Sequence, residues 1–378
     1  MVNYSQINDR QLDRTRLSAQ VAEKFGWSIG GYSTAYYLAN EFGIIAFALV
    51  MICAAFVQTY SIRKKNTIFD DKLLRRSLAF RVLSFALLTF SAITSDFAIL
   101  LISSALSGLY VGLFWPTFYS LKSSSISRWY VKEKIIACAL CLISGIIIAK
   151  IGPELVLLAA TLAASRSYIQ TYKISKSKNY SNLEFQRIDN NGIMALSEGC
   201  FAAIVNLWRG ITLLTGNVIV FGLSGILSFT LLLVITELLG ALYCHYSKFK
   251  FSEKTRISVV LLLCILGILA TIIPQQESWI LGILILGIGT STIYPMTVET
   301  VKRNLNAKGT EQRGFREDWR NRGRMIGISI ILFYWCIGLP YGSLSIWLII
   351  SITIYGKIFF IQIKCCPSSL LGEVRGFF

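Results

Sequence analysis

Two stretches, Ser107-Gly108-Leu109-Tyr110-Val111-Gly112-Leu113-Phe114-Trp115-Pro116 and Leu286-Gly287-Ile288-Gly289-Thr290-Ser291-Thr292-Ile293-Tyr294-Pro295, read as one helix written twice, with their prolines 295 − 116 = 179 residues apart. The same offset lays the basic segment from Arg63 to Arg76 roughly over that from Lys248 to Arg256. It also lays the run from Leu78 to Thr94, apolar apart from Arg81 and a few hydroxyls, over that from Ile257 to Ile273. Self-similarity across several consecutive elements predicts two copies of one structural unit. Helices repeated in the same order, each half returning to the same membrane side, are the hydropathy signature of bundles built from parallel repeats. The seam between the halves is where function is expected.

Lipid is the solvent such a chain needs. Hydrophobic residues make up 54% of its 378 residues and charged ones only 15%, outside the balance of soluble domains. The apolar runs approach the roughly 20 residues that cross a bilayer as a helix. A net charge of +17 would point to nucleic acid in a soluble chain. Here the cations fall mostly between apolar runs, where they act as topology signals, and nucleic acid is not an expected partner. The first 26 residues are polar and of mixed sign, with Asp9, Arg10, Asp13, Arg14, Arg16, Glu23 and Lys24, and have no apolar stretch of the signal-peptide kind. Most of the nine cysteines fall in apolar runs and are expected to act as small hydrophobes. Cys365 and Cys366 loosely match a lipid-attachment site. The single histidine, His245, has no partner at a zinc-like interval, so neither a metal nor a cofactor is expected.

Eleven apolar runs are predicted spans: 34–60, 78–94, 97–119, 135–151, 153–171, 193–212, 217–245, 257–274, 277–300, 323–341 and 343–363. Lys and Arg alternate between the loops. The linker after Tyr60 carries Arg63, Lys64, Lys65, Lys72, Arg75 and Arg76, whereas Ser95-Asp96 carries none; in the second half a basic loop runs from Lys302 to Arg324. The positive-inside rule puts the basic loops in the cytoplasm. Eleven spans would leave the amino terminus outside, against Arg10, Arg14, Arg16 and Lys24. A twelfth, polar or incomplete helix is therefore expected near 14–33, where the 179-residue offset places the partner of 193–212. At Lys150-Ile151-Gly152-Pro153 either two spans meet with almost no loop, Pro153 opening the second, or one long tilted helix passes through. The expected fold class is an all-α membrane protein of two pseudo-repeated six-helix-type bundles with 11–12 transmembrane helices. Its parts are a first bundle over 1–172, a cytoplasmic central loop over 173–192, a second bundle over 193–364 and a cytoplasmic tail over 365–378.

The segment Thr67-Ile68-Phe69-Asp70-Asp71-Lys72-Leu73-Leu74-Arg75-Arg76 resembles the Gly-x-x-x-Asp-Arg-x-Gly-Arg-Arg loop between helices two and three of the major facilitator superfamily. Asp71, Lys72, Arg75 and Arg76 match, and Thr67 and Leu74 stand where the glycines would be. The helix with Gly108, Gly112, Trp115 and Pro116 resembles the superfamily's fourth helix, although its intramembrane arginine would fall at Ser104, a departure that speaks against ordinary proton coupling. Arg316-Glu317-Asp318-Trp319-Arg320-Asn321-Arg322-Gly323-Arg324 is similar to the start of helix eleven in some bacterial members, where an Arg-Glu pair precedes Asn-x-Gly-Arg. The resemblance covers roughly residues 35–365. It implies a divergent member, with two lobes rocking around a central site.

Asp71 among Lys72, Arg75 and Arg76 is a candidate gating latch, paired in one conformation and broken in the other, with Glu317 and Arg324 as further gating-loop candidates. The plainer alternative is that these charges only hold the topology. Gly108 and Gly112, four apart, admit a neighbouring helix closely. Between Met194 and Arg209, Glu198, Asn206 and Arg209 are too polar for a lipid face, and intramembrane charges tend to line a bundle interior or watery cavity. Snorkelling of Arg209 and a headgroup position for Glu198 are the alternatives. The resemblance puts Tyr110, Trp115 and Tyr294, with Thr117 and Thr297, on the same cavity wall. Glu237, set among apolar residues, is a candidate proton carrier alongside Glu198, or else a structural hydrogen-bonding group. Trp27, Tyr36, Tyr37, Trp279 and Trp347 are expected in aromatic belts.

No acid–base pair beside His245 and no phosphate-binding glycine loop is evident, so neither an enzyme nor an ATP-driven pump is expected. The reading is a secondary transporter in the cytoplasmic (inner) membrane, its partners the lipid bilayer, a small-molecule substrate and protons. Aromatic and apolar wall residues outnumber charged ones, which favours export of an amphipathic metabolite. A non-transporting scaffold or immunity protein, and a lipid or glycan flippase with a side opening, stay open as alternatives.

Overall fold

The computed structural model describes residues 26, 30, 31, 34, 37–63, 68–120, 130–171, 178–180, 190–214, 223, 225–273, 275–304, 309–338 and 343–365. Twelve helices can be followed among them. The helical residues at 26, 30, 31, 34 and 37–41 are taken as α1. After it come α2 (Gly43–Arg63), α3 (Asp71–Thr94), α4 (Phe97–Ser120), α5 (Tyr130–Lys150), α6 (Pro153–Thr171), α7 (Asn190–Leu214), α8 (Gly225–Lys250), α9 (Glu253–Ile272), α10 (Gln276–Asn304), α11 (Gly309–Ile337) and α12 (Leu344–Cys365). A small antiparallel ladder accompanies the helices: β1 (Ile68–Asp70) pairs with β2 (Lys178–Tyr180), Phe69 opposite Asn179. It clasps the segment between α6 and α7 to the connection between α2 and α3.

Among the described residues seven helices, α2, α3, α4, α8, α9, α10 and α12, are long and apolar enough to cross a bilayer. Outward faces carry large exposed apolar side chains such as Phe56, Phe90, Ile93, Ile102, Leu162 and Leu281. Soluble monomers do not leave so many open to water, and the protein is a multi-pass membrane protein. In lipid it is close packing of small residues and hydrogen bonding, more than removal of apolar surface from water, that holds helices together.

The span expected at 34–60 is two helices. Phe42 forms a bend and Gly43 has φ +75°, a left-handed conformation that glycine adopts without a steric penalty. The chain therefore breaks there; of the helix expected near 14–33, residues 26, 30 and 31 are described and helical, and the rest lies outside the described residues. A Cβ on Gly30 would lie 2.3 Å from the Phe85 ring of α3 and 2.9 Å from Ala160 of α6. Tyr37 donates to the Ser91 carbonyl at 2.6 Å and is buried, a tie inside the lobe rather than a belt residue. Trp27 and Tyr36 lie outside the described residues. Gly152, at φ +126°, turns the chain between α5 and α6, so two helices meet at Lys150–Pro153. The largest revision is α11: the basic stretch expected as a loop up to Arg324 is helical from Gly309, and Arg316, Asp318 and Asn321 within it are buried.

The repeat is visible in the packing. Contacts of α2 with α4, α3 with α4 and α3 with α6 recur as α8 with α10, α9 with α10 and α9 with α12. Between lobes α2 packs on α11 and α5 on α8, each pair the image of the other under exchange of the halves; α4 touches α11 more lightly. The 179-residue offset even carries Gln58, Ser61 and Gly112 onto Glu237, Gly240 and Ser291. In the first lobe Gly112 lies against the Gln58 carbonyl and Ser61, and in the second Gly240 lies against Ser291, which donates to Glu237. Each pair keeps one glycine, on opposite partners, because close helix approach needs only one.

Candidate functional site

Among the described residues α7 and α11 meet backbone to backbone. A Cβ on Gly199 would meet the Arg320 carbonyl oxygen at 2.0 Å, and one on Gly323 the Leu196 carbonyl oxygen at 1.9 Å. Glycines let the two backbones touch, and that contact brings Glu198 of α7 onto Arg320 of α11. Glu198 is 2% exposed, and its Oε1 accepts from Arg320 Nε at 2.7 Å, whereas its Oε2 has no hydrogen-bond partner. Arg320 Nη1 also lies 3.6 Å from Glu317. Arg316 pairs with Glu317 and donates to the Tyr294 hydroxyl at 3.2 Å. The guanidinium carbons of Arg316 and Arg320 lie 4.6 and 4.4 Å from the centre of the Tyr294 ring, cation–π contacts with one aromatic face or the other. Arg324 donates to Asn321 Oδ1 at 3.0 Å. Removing one partner of such a buried ion pair costs about 3–5 kcal/mol.

Farther along α7, Arg209 is 3% exposed. It donates to Asn206 Oδ1 at 2.8 Å and to Thr236 Oγ1 of α8 at 3.3 Å; a Cβ on Gly287 of α10 would lie 3.1 Å from its Nη1. Asn206 itself is exposed. Glu237, half-buried on α8, accepts from Ser291 Oγ of α10 at 3.1 Å. In the first lobe Arg81 of α3 is 2% exposed. It donates to Ser107 Oγ at 3.2 Å, and its guanidinium carbon lies 3.9 and 4.8 Å from the ring centres of Phe85 and Tyr110.

The expected site residues thus fall in several places. Glu198, Tyr294, Glu317 and Arg324 share one cluster. Asn206 and Arg209 lie farther along α7, Glu237 bridges α8 and α10, and Tyr110 packs with Leu74, Leu78 and Phe114 in the first lobe. At the start of α3 Lys72 and Arg76 are exposed and Arg75 is half-buried; the side chains of Asp71 and Trp115 lie outside the described residues. Ser104 donates to the Val50 carbonyl at 2.6 Å, tying α4 to α2 where the superfamily would carry arginine. Arg316, Arg320 and Asn321 were missed as site residues because cations between apolar runs read as a loop. The signal for a helix was there, since Asp318–Arg322 and Glu317–Arg320 are spaced as helix-surface pairs.

Comparison with solved structures adds the decisive observation. A bacterial homologue of the iron transporter ferroportin in an outward-facing state matches with a TM-score of 0.66 and 14% identity, over 93% of this chain and 98% of that one. A major facilitator superfamily transporter, FucP, in the outward conformation matches with a TM-score of 0.58 and 10% identity, over 91% and 98%. The chain has the major facilitator fold. An auto-inhibited POT family peptide transporter is similar too, with a TM-score of 0.64 and 10% identity over 94% of this chain and 97% of that one. These neighbours are transporters rather than enzymes. No family model and no curated protein matches the sequence.

Within the major facilitator fold, α7 is hydrogen-bonded to both second-lobe helices that make the main contacts with the first lobe. Glu198 reaches α11, which packs on α2, and Arg209 reaches α8, which packs on α5. Just past Arg324, α11 and α12 border an open, mostly apolar groove of about 380 Å³ lined by Met325, Ile326, Ser329, Ile330, Phe333, Tyr334 and Trp347. Trp347 Nε1 donates to the Tyr334 hydroxyl at 3.0 Å there.

Proposed function

We propose that the protein is a secondary transporter that exports a small amphipathic molecule across the cytoplasmic membrane by alternating access, with its basic loops and carboxyl terminus in the cytoplasm. The lobes are 1–172 and 193–364, joined by a central loop over 173–192, with a tail over 365–378. The observation that carries this reading is the pair of polar links from α7 to α11 and α8. Buried ionisable groups are costly in a membrane and mark function by default, and here they bear on the helices that must part when lobes rock. Glu198 and Glu237 are the candidate proton carriers. Proton coupling gains support from the similar fold of a fucose:proton symporter.

The test compares medium, cytosol and lipid extract from cells expressing the intact chain or Glu198→Gln at equal membrane abundance. A compound that accumulates in the medium only with the intact chain is the expected result. If the intact chain matches an empty vector in all three fractions, the transport reading fails and a non-transporting scaffold takes its place.

A further inference from the structure

We infer that the lipid-facing side of α11 is a binding site for one anionic phospholipid, its phosphate held by Arg322 and an acyl chain lying in the groove between α11 and α12. The site requires only that the chain span a membrane. Its leaflet is the one on the Arg322 side, cytoplasmic in the topology proposed above, and binding does not depend on transport.

One face of α11 carries the cation and the groove wall together. Arg322, Ile326, Ser329 and Phe333 follow one another at steps of four, three and four, which keeps them within about 60° around an α-helix. Ile326, Ser329 and Phe333 are exposed and line the groove, as is Trp347 of α12. The groove exists because α11 and α12 each pack on α7 and, among the described residues, hardly touch one another. From Arg322 to Phe333, 333 − 322 = 11 residues, the helix rises about 16 Å, close to half of the roughly 30 Å hydrocarbon core. An apolar groove on that face opens onto acyl chains, and leaving it empty would forfeit the dispersion contacts of its lining.

Arg322 marks the headgroup end, since the apolar run of α11 starts just past Arg324. The Arg322 guanidinium carbon lies 4.4 Å from the centre of the Trp319 ring, and tryptophan and arginine are side chains that settle at the bilayer interface. Asp318 approaches Arg322 only to 3.6 Å, too far for a hydrogen bond. Asp318 is 1% exposed against 30% for Arg322, so the pair turns its cation outward. A guanidinium matches the geometry of a phosphate. An anionic lipid complements that cation in charge as well, whereas the choline of phosphatidylcholine offsets its own phosphate. Arg316 and Arg320, by contrast, are engaged inside the buried cluster by Glu317 and Glu198.

The experiment places the purified full chain in phosphatidylcholine vesicles and adds graded fractions of phosphatidylglycerol or phosphatidylcholine with brominated chains. Bromine quenches tryptophan fluorescence on contact, and the share of Trp347 is the difference between the wild type and Trp347→Phe. Half-quenching of Trp347 should need about fivefold less phosphatidylglycerol than phosphatidylcholine, the margin expected of one arginine at an anionic surface. Arg322→Gln should erase that preference and leave quenching by phosphatidylcholine unchanged. Ser329→Phe narrows the groove from an exposed position and leaves every charge in place, so it decides the matter even where Arg322→Gln fails to fold. It should raise the phosphatidylglycerol requirement about fivefold. Equal half-quenching by the two lipids overturns the proposal, as does a wild-type response from either variant. Displacement of the brominated lipid by glycerophosphoglycerol, the headgroup without chains, would make this a site for free phosphates and overturn it too. A lipid preference in a chain that moves no compound would remove the transport reading and leave the lipid site standing. Transport by a chain with no such preference would do the reverse.

Discussion

A single methyl group on Gly323 is enough to push α11 off α7. In Gly323→Ala the new Cβ would sit 1.9 Å from the Leu196 carbonyl oxygen, 2.8 Å from its carbon and 2.9 Å from the Cys200 nitrogen. All three are backbone atoms and none can swing aside. Ordinary contact begins at 3.4 Å, so the helices must part by 3.4 − 1.9 = 1.5 Å along that direction. A comparable movement between Arg320 and Glu198 stretches their 2.7 Å bond to about 4 Å, beyond hydrogen-bonding range. Overpacking alone costs about 1–3 kcal/mol. Loss of the buried pair adds up to about 3–5 kcal/mol, less to the extent that the Arg320 side chain follows the carboxylate. Thermal unfolding read by a thiol-reactive dye suits the protein, since Cys200 and Cys264 are buried. The midpoint should fall by about 5 °C or more, at roughly 2 °C per kcal/mol for a long chain. Gly26→Ala is the control, its Cβ meeting nothing nearer than 3.4 Å, and should leave the midpoint unchanged or slightly higher. In the Glu198→Gln background Gly323→Ala should cost less than in the wild type, because the charged pair is already gone. A wild-type midpoint for Gly323→Ala, or full additivity with Glu198→Gln, would refute the idea that glycine contact holds the charge cluster.

At the other end of α7, Gly287→Ala would bring a Cβ within 2.4 Å of Thr236 Cγ2 and displace it from Arg209; transport at matched abundance should fall severalfold, and unchanged flux would show that bond to be idle. Glu237→Gln should fold within about 1 kcal/mol of the wild type, because Gln58 fills the repeat-related position and an amide oxygen can still accept from Ser291. Its transport should lose pH dependence, and a wild-type pH profile would exclude Glu237 as a proton carrier. Asp71→Lys should abolish most transport without changing expression; normal transport would remove the latch.

The two-lobed fold was legible because its signals are local and repeated: apolar runs of bilayer length, basic loops on alternate sides and one offset linking both halves. The break at Phe42–Gly43 was not legible, since hydropathy runs smoothly through a bend that depends on one positive φ. Charge obscured α11, whose first turns have the composition of a loop and the pairing of a helix. Burial of Arg316 and Asn321 is a different kind of fact. It depends on docking against α7 through Gly199, and Glu198 lies 122 residues from its partner Arg320, a separation at which no local pattern carries information. Glu198, by contrast, was found from sequence because one acid in an apolar run needs no partner to attract notice.

The two links from α7 are unequal, and the inequality bears on how the lobes would move. Glu198 and Arg209 are eleven residues apart, about 16 Å along the helix, so they act on α11 and α8 at different depths. The Glu198–Arg320 bond joins two charges at 2.7 Å; the Arg209–Thr236 bond joins a charge to a hydroxyl at 3.3 Å. Hydrogen bonds assisted by charge on both sides are shorter and stronger than those to neutral partners, and only the first loses its charge pairing when Glu198 is neutralised. On the proposed mechanism, a proton on Glu198 therefore alters the hold on α11 while leaving the hold on α8 in place. The α2–α11 contact would open first and the α5–α8 contact would serve as the pivot. Two seams related by the repeat would then play different parts, because the repeat-related sequences do not carry the same charges.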